Sequence, residues 1–72
     1  MKYFFKKFHF YLKHGCREGQ AAFNSLLDVC NNPYFELEIK EFDKQEILFE
    51  QKELSLKQWN KIFKLLEKHN VN

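Results

Sequence analysis

The clearest pattern of hydrophobic and polar positions lies near the end of the chain. Its apolar residues recur at the spacing of one helical face, and they are Leu56, Trp59, Ile62, Phe63 and Leu66. Ser55 and Gln58 have the spacing of a capping box, in which the serine hydroxyl accepts from the Gln58 amide. His69 and Asn70 suit a helix end. The pattern therefore predicts a helix over residues 56–69.

A second helix is predicted over residues 17–31. Its apolar face is made by Ala22, Phe23, Leu26, Leu27 and Cys30. The segment Asn31-Asn32-Pro33 follows, and a proline disfavours helical backbone in the residue before it. We therefore expect this helix to end just ahead of Pro33.

Residues 34–42 alternate between apolar and charged side chains. Phe35, Leu37 and Ile39 fall on one side of an extended chain, and charged residues fall on the other. This alternation predicts a half-buried strand, and a turn at Asp43-Lys44 leads into a second strand over residues 46–52. The short connection predicts an antiparallel hairpin.

The first fourteen residues fit two interpretations. As a strand, Phe8, Phe10 and Leu12 would face inward, and the aromatic content together with the break at Gly15 favours this choice. As a helix, one face would be shared by Phe4, Phe5, Phe8, Tyr11 and Leu12.

With a first strand, the element order is β-α-β-β-α, which predicts an α+β fold. The expected architecture is a two-layer sandwich, a three-stranded sheet with both helices on one face. The whole chain, residues 1–72, is expected to form a single domain. Nine phenylalanines in 72 residues supply enough apolar surface for a core at this small size.

The composition excludes several classes of protein. No stretch approaches the roughly 18 consecutive apolar residues of a membrane span. The start of the chain does not fit a signal peptide, because Lys6, Lys7 and His9 interrupt the apolar region that such a peptide requires. We therefore expect a cytoplasmic protein. No spacing of cysteine and histidine matches a metal site, and no catalytic or nucleotide-binding motif is present. The predictions are no catalytic residue, no metal and no cofactor.

Charge is strongly segregated along the sequence. Residues 1–17 have a net charge of +5, residues 18–54 of −6 and residues 55–72 of +3, which together give the net +2. Such separated fields steer binding partners.

The acidic middle segment gives the first hypothesis of function. Carboxylates on the outer side of the hairpin could dock on a basic protein surface, and adjoining aromatic residues would add apolar contact. The chain would then be a non-enzymatic protein-interaction module acting stoichiometrically. A specific form of this hypothesis is a phage or mobile-element inhibitor of a host defence or nucleic-acid enzyme. The predicted partner-binding residues are Glu36, Glu38, Glu41, Asp43, Glu46, Tyr34 and Phe42.

The alternative hypothesis is a small nucleic-acid-binding protein that uses both basic ends. Lysines would hold phosphates, and interleaved aromatic residues would stack on unpaired bases. The residues concerned are Lys6, Lys7, Lys13, Lys57, Lys61, Lys64 and Lys68.

Several aromatic residues exceed what so small a core requires. A homodimer would cover them, because a second subunit extends a marginal core. The excess residues are Tyr3, Phe4, Phe5, Tyr34 and Phe42.

Overall fold

The computed structural model describes residues 1–71, and within them the chain is helical, with no strand. Its elements are α1 (Lys2–Lys13), α2 (Glu18–Val29), α3 (Pro33–Glu46), a 3₁₀ turn (Leu48–Glu50) and α4 (Leu56–Lys68). The predicted α+β sandwich with a three-stranded sheet is therefore wrong. The two predicted helices are confirmed as α2 and α4, and the capping box of Ser55 and Gln58 is formed from both sides.

Within the first fourteen residues the chain forms a helix and not the strand that the sequence favoured. Phe4 and Phe8 are buried on the inner face of α1, whereas Phe10, which the strand interpretation placed inside, is exposed. Gly15 ends this helix in the left-handed region at φ +90°. Its amide donates to the Leu12 carbonyl at 3.1 Å, and the Cys16 amide donates to the Tyr11 carbonyl at 3.0 Å. Gly15 is thus a helix terminator of the Schellman type.

The predicted hairpin is replaced by α3 and the 3₁₀ turn. Asn32 caps α3 by accepting the Phe35 amide at 2.8 Å, and Pro33 occupies the first helical turn, where its missing N–H costs nothing. Phe35, Ile39 and Phe42 are buried at helical spacing, and Leu37 is exposed. The apolar residues that alternate with charged ones over residues 34–40 also fit a helical period over 35–42. The Asn32 cap and Pro33 favour the helix.

The connection from α3 to α4 packs tightly on the start of α2. Ile47 has left-handed backbone at φ 50°, and the fully buried Leu48 follows it into the 3₁₀ turn. Gly19 lies under this turn, and a Cβ there would lie 1.8 Å from the Leu48 carbonyl oxygen. The Gly19 amide also donates to the Gln51 carbonyl at 2.9 Å. A side chain at position 19 is therefore incompatible with this connection.

The helices enclose one hydrophobic core, and α4 lies between α1 and α3. The Phe5 ring lies 6.0 Å from Trp59 and 6.1 Å from Phe63. The Met1 amino group donates to the Val71 carbonyl at 3.3 Å, so the start of α1 lies beside the end of α4 and the two helices are antiparallel. At the other flank of α4, Phe35 stacks on His69 with ring centroids 4.2 Å apart. The fully buried large side chains of the core are Phe4, Leu26, Phe35, Ile39, Leu48, Ile62 and Leu66.

Candidate functional site

Two of the predicted acidic residues are engaged inside the molecule by α4. Glu38 lies 2.8 Å from the Lys68 ammonium and 2.6 Å from the His69 ring nitrogen. Glu46 lies 2.9 Å from the Lys61 ammonium and accepts from the side-chain amide of Gln58 at 3.3 Å. We call these contacts the α3–α4 seam. They neutralise carboxylates that the sequence had assigned to a partner.

The seam also changes the acidity of its carboxyl groups. Hydrogen bonding from Lys68, followed by that from His69, holds the pKa of Glu38 below its ordinary value. Hydrogen bonding from Lys61 does the same to the pKa of Glu46. In both cases a neighbouring cation and a donated hydrogen bond favour the charged carboxylate. Both groups are therefore ionised at neutral pH and act as fixed partners for α4.

The remaining predicted acidic residues do not form one surface. Glu36 pairs with Lys40 at 3.4 Å along the same helix, and the Asp43 carboxylate accepts the Phe49 amide at 2.9 Å. Glu41 is exposed, and no ion pair or hydrogen bond involves its side chain within residues 1–71. The acidic hairpin surface expected from the sequence is thus replaced by a helix whose carboxylates are distributed over two sides.

The two aromatic residues of that prediction also separate. Phe42 is buried in the core, and Tyr34 is 77% exposed at the start of α3. Leu37, one turn further on, is 64% exposed. The exposed apolar side chains of α3 are therefore Tyr34 and Leu37, and the alternation in the sequence had placed Leu37 in the core.

A groove of about 370 Å³ runs along the α3–α4 seam. Phe42 and Leu65 contribute apolar lining, Glu38 and Glu41 line it from α3, and three lysines line it from α4. Taken together, α3 carries five acids and two lysines, and α4 carries four lysines and one glutamate. The two helices therefore have no net charge as a pair, although the lining of the groove itself contains one more lysine than it has acids.

The lysines predicted to bind nucleic acid fall on two separate surfaces. Lys61, Lys64 and Lys68 line the groove beside α3, with Lys57 preceding them on α4. Trp59 and Phe63, on the other flank of α4, contact α1. The basic start of the chain and the lysine stripe of α4 are therefore separated by the aromatic contact between the two helices.

The outer face of α1 is basic and carries exposed aromatic rings. Its exposed residues are Lys2, Tyr3, Lys6, His9, Phe10 and Lys13. Tyr3 is 50% and Phe10 52% exposed, and these two residues lie two helical turns apart on one side. Lys6 and Lys13 have the same separation and border a shallow hollow beside Phe10.

The charge of this face is not compensated within the fold. The helix contains four lysines and no acid, and none of these lysines forms an ion pair with any carboxylate in residues 1–71. Lys7 instead lies over the Tyr3 ring, 5.7 Å from its centroid. Sequence reasoning identified the lysines but assigned Phe10 to the core, and the seven-residue spacing of Tyr3 and Phe10 was the signal that could have corrected it.

Cys16 and Cys30 are free thiols. Within residues 1–71 there is no grouping of three or more histidine, cysteine or acidic side chains that could hold a metal ion. No helix in this range has the length and apolar character that a bilayer crossing requires.

Comparison with known proteins gives no relative. No family model, no curated protein and no solved structure matches this chain.

Proposed function

We propose that this chain is a small, non-enzymatic nucleic-acid-binding protein whose contact surface is the outer face of α1. The observation that supports this best is the uncompensated charge of α1, four lysines with no carboxylate partner in the described chain. Lysines free of internal partners can release counterions from a phosphate backbone on binding.

The exposed aromatic rings favour a single strand over a duplex. Tyr3 and Phe10 lie next to the exposed lysines of α1, about 10 Å apart along the helix axis at 1.5 Å per residue. Unpaired bases can stack on such rings, and bases within a duplex cannot reach them. A membrane surface fits less well, because the apolar side of α1, with Phe4 and Phe8, is buried in the core and cannot insert.

The test is a titration of a fluorescently labelled oligothymidine strand at several salt concentrations. We expect micromolar binding at low salt that weakens as salt rises. In the variant with Lys6, Lys7 and Lys13 changed to alanine, the slope of log affinity against log salt should fall by about 2, at roughly 0.7 per lost phosphate contact. The matched control changes Lys44, Lys52 and Lys57 to alanine, which removes the same charge elsewhere.

Two results would refute the proposal. One is the absence of binding at micromolar protein and low salt. The other is equal weakening by the α1 variant and its control, because binding would then follow net charge rather than a particular surface.

Stacking has a separate test. Replacing Tyr3 or Phe10 with serine should weaken binding of the single strand by about tenfold, a value within the range for one base–aromatic contact. Tyr34→Ser, which removes an exposed ring from α3, should leave the affinity unchanged. Equal effects of Phe10→Ser and Tyr34→Ser would exclude stacking on α1.

Stoichiometric docking on another protein is a second candidate. Its support is the exposure of Tyr34 and Leu37 beside the apolar lining of the α3–α4 groove. Inhibition of a host defence or nucleic-acid enzyme is one form of this candidate. Changing Tyr34 and Leu37 to serine should abolish capture of a specific partner and leave the helical circular dichroism spectrum intact. Unchanged capture by that variant would exclude this surface.

For either function we propose a cytoplasmic location. It is supported by the free thiols of Cys16 and Cys30, since cytosolic proteins generally keep their cysteines reduced. Fractionation of cells that express the chain tests it.

A further inference from the structure

The α3–α4 groove has two unpaired charges of opposite sign near its middle. Glu41 lines it from α3 and Lys64 lines it from α4. Both are exposed, and neither side chain has an ion pair or hydrogen bond to any other residue in the range 1–71. By contrast, the charges toward either end of the groove are already paired, Glu38 with Lys68 and Glu46 with Lys61.

The antiparallel arrangement brings the two unpaired charges to a similar height. Glu38 pairs with Lys68 and Glu46 with Lys61, so the register of α3 against α4 is fixed at two points. Glu41 and Lys64 both fall between these points along their helices. The middle of the groove therefore carries a negative charge on its α3 side and a positive charge on its α4 side.

This arrangement is complementary to itself. In a two-fold symmetric dimer the same patch is used by both copies. If the two-fold axis runs along the groove, the α3 of one copy lies over the α4 of the other. Glu41 of each copy then faces Lys64 of its partner, and the contact occurs twice.

The apolar surface of the same side supplies the rest of such a contact. Tyr34 and Leu37 are exposed on α3, on the side that carries Glu41, and Phe42 and Leu65 lie within the groove. A second copy would remove Tyr34, Leu37 and the exposed part of Leu65 from water, and apolar burial is the main favourable term in association. The outer face of α1 stays free, because α1 lies at the opposite flank of α4.

We propose that the α3–α4 groove is an isologous dimer interface, occupied by a second copy of this chain and aligned by reciprocal contacts between Glu41 and Lys64.

The test is sedimentation of the full chain from micromolar to sub-millimolar concentration. The wild type should show a reversible monomer–dimer equilibrium. Glu41→Lys and Lys64→Glu should each weaken dimerisation by about tenfold or more, because each places like charges opposite one another twice. The double variant with both changes should regain dimerisation, since the charges are then exchanged and again complementary.

Mixing the two single variants gives the sharpest result. Glu41→Lys chains and Lys64→Glu chains should form heterodimers with each other while each alone stays largely monomeric. Leu37→Ser should also weaken the dimer, because Leu37 is exposed on the side of α3 that carries Glu41. Leu56→Ser, which changes a similarly exposed leucine at the start of α4, should not. Circular dichroism and thermal unfolding of every variant establish that it is folded.

A wild-type chain that stays monomeric throughout this range overturns the proposal. So does a dimer that is insensitive to the charge changes, or one whose single variants fail to associate when mixed. A groove that binds a different protein while the chain stays monomeric would assign the surface to that partner instead.

Discussion

The two helices that flank α4 differ in whether their charged side chains are paired within the fold. α3 directs Glu38 and Glu46 toward the lysines of α4, so its charge is largely cancelled within the fold. α1 contacts α4 through aromatic rings, and its lysines have no carboxylate partner among the described residues. The difference shows that charged residues clustered in the sequence remain available to a binding partner only where the fold places no opposite charge beside them.

The largest expected effect comes from breaking the scaffold that both regions share. Gly19→Ala would place a methyl group 1.8 Å from the Leu48 carbonyl oxygen and 2.9 Å from Gln51. Since the nearest obstacle is backbone, the connection between α3 and α4 must move, and we expect a loss of several kcal/mol or of cooperative unfolding altogether. Urea unfolding measures it.

Gly15→Ala is the matched control for this substitution. Position 15 has open space around it but a φ of +90°, so we expect a cost of only about 1 to 2 kcal/mol from backbone strain. A tolerated Gly19→Ala would show that the contact between the 3₁₀ turn and α2 is loose enough to accept a methyl group.

Charge reversal at one position in each region tests the comparison directly. Glu38→Lys removes two contacts of the seam and places a cation beside Lys68 and His69, so we expect a loss of about 1 to 2 kcal/mol. Lys6→Glu reverses a charge that has no partner and lies among other cations, so stability should change by less than about 0.5 kcal/mol. Comparable losses in thermal unfolding would mean that the two regions do not differ.

The seam should contribute to the loss of stability at acid pH. The pKa values of Glu38 and Glu46 are lowered in the folded chain from the ordinary 4.5. The unfolded chain therefore takes up protons first, and the stabilisation is fully present above about pH 5 and is lost as pH falls through the lowered folded values. Glu38→Gln should flatten this loss, and the Lys6, Lys7 and Lys13 variant should retain it. An unchanged loss at acid pH in Glu38→Gln would exclude Glu38 as a contributor.

The smallest effect is expected for an ion pair outside the seam. Glu36 and Lys40 are four residues apart on α3, 3.4 Å from each other, and both are more than half exposed. Such pairs contribute about 0.3 to 0.5 kcal/mol at low salt. Glu36→Gln should therefore change the free energy of unfolding by no more than this amount. A loss of stability larger than that of Glu38→Gln would mean that the seam pairs contribute no more than an exposed ion pair.

The parts of the fold that the sequence predicted are those with local end signals. Ser55 and Gln58 fixed the start of α4, and Asn31-Asn32-Pro33 fixed the end of α2. The same Asn-Pro pair also begins α3, a role that the prediction overlooked because a stop and a start coincide there. Between residues 34 and 42 the apolar positions satisfy both a period of two and a helical period, and only the cap distinguishes them.

The candidate surfaces were predicted less well, for a related reason. The lysines of α1 were identified because the basic character of this segment does not depend on whether it is a strand or a helix. The pairing of Glu38 and Glu46 with α4 required knowing that residues 33–46 are helical and run antiparallel to α4. A glycine at position 15 also fits both interpretations of the first segment, since it interrupts a strand and terminates a helix equally well.

The concentration of uncompensated charge on α1 gives the molecule a strong electric dipole. The chain measures 28 × 24 × 20 Å, and at physiological ionic strength the screening length is about 8 Å. An anion that approaches from the side opposite α1 is therefore shielded from these lysines, while one that approaches α1 is attracted far more than a net charge of +2 suggests. The protein should consequently meet a polyanion in one preferred orientation before any contact is made.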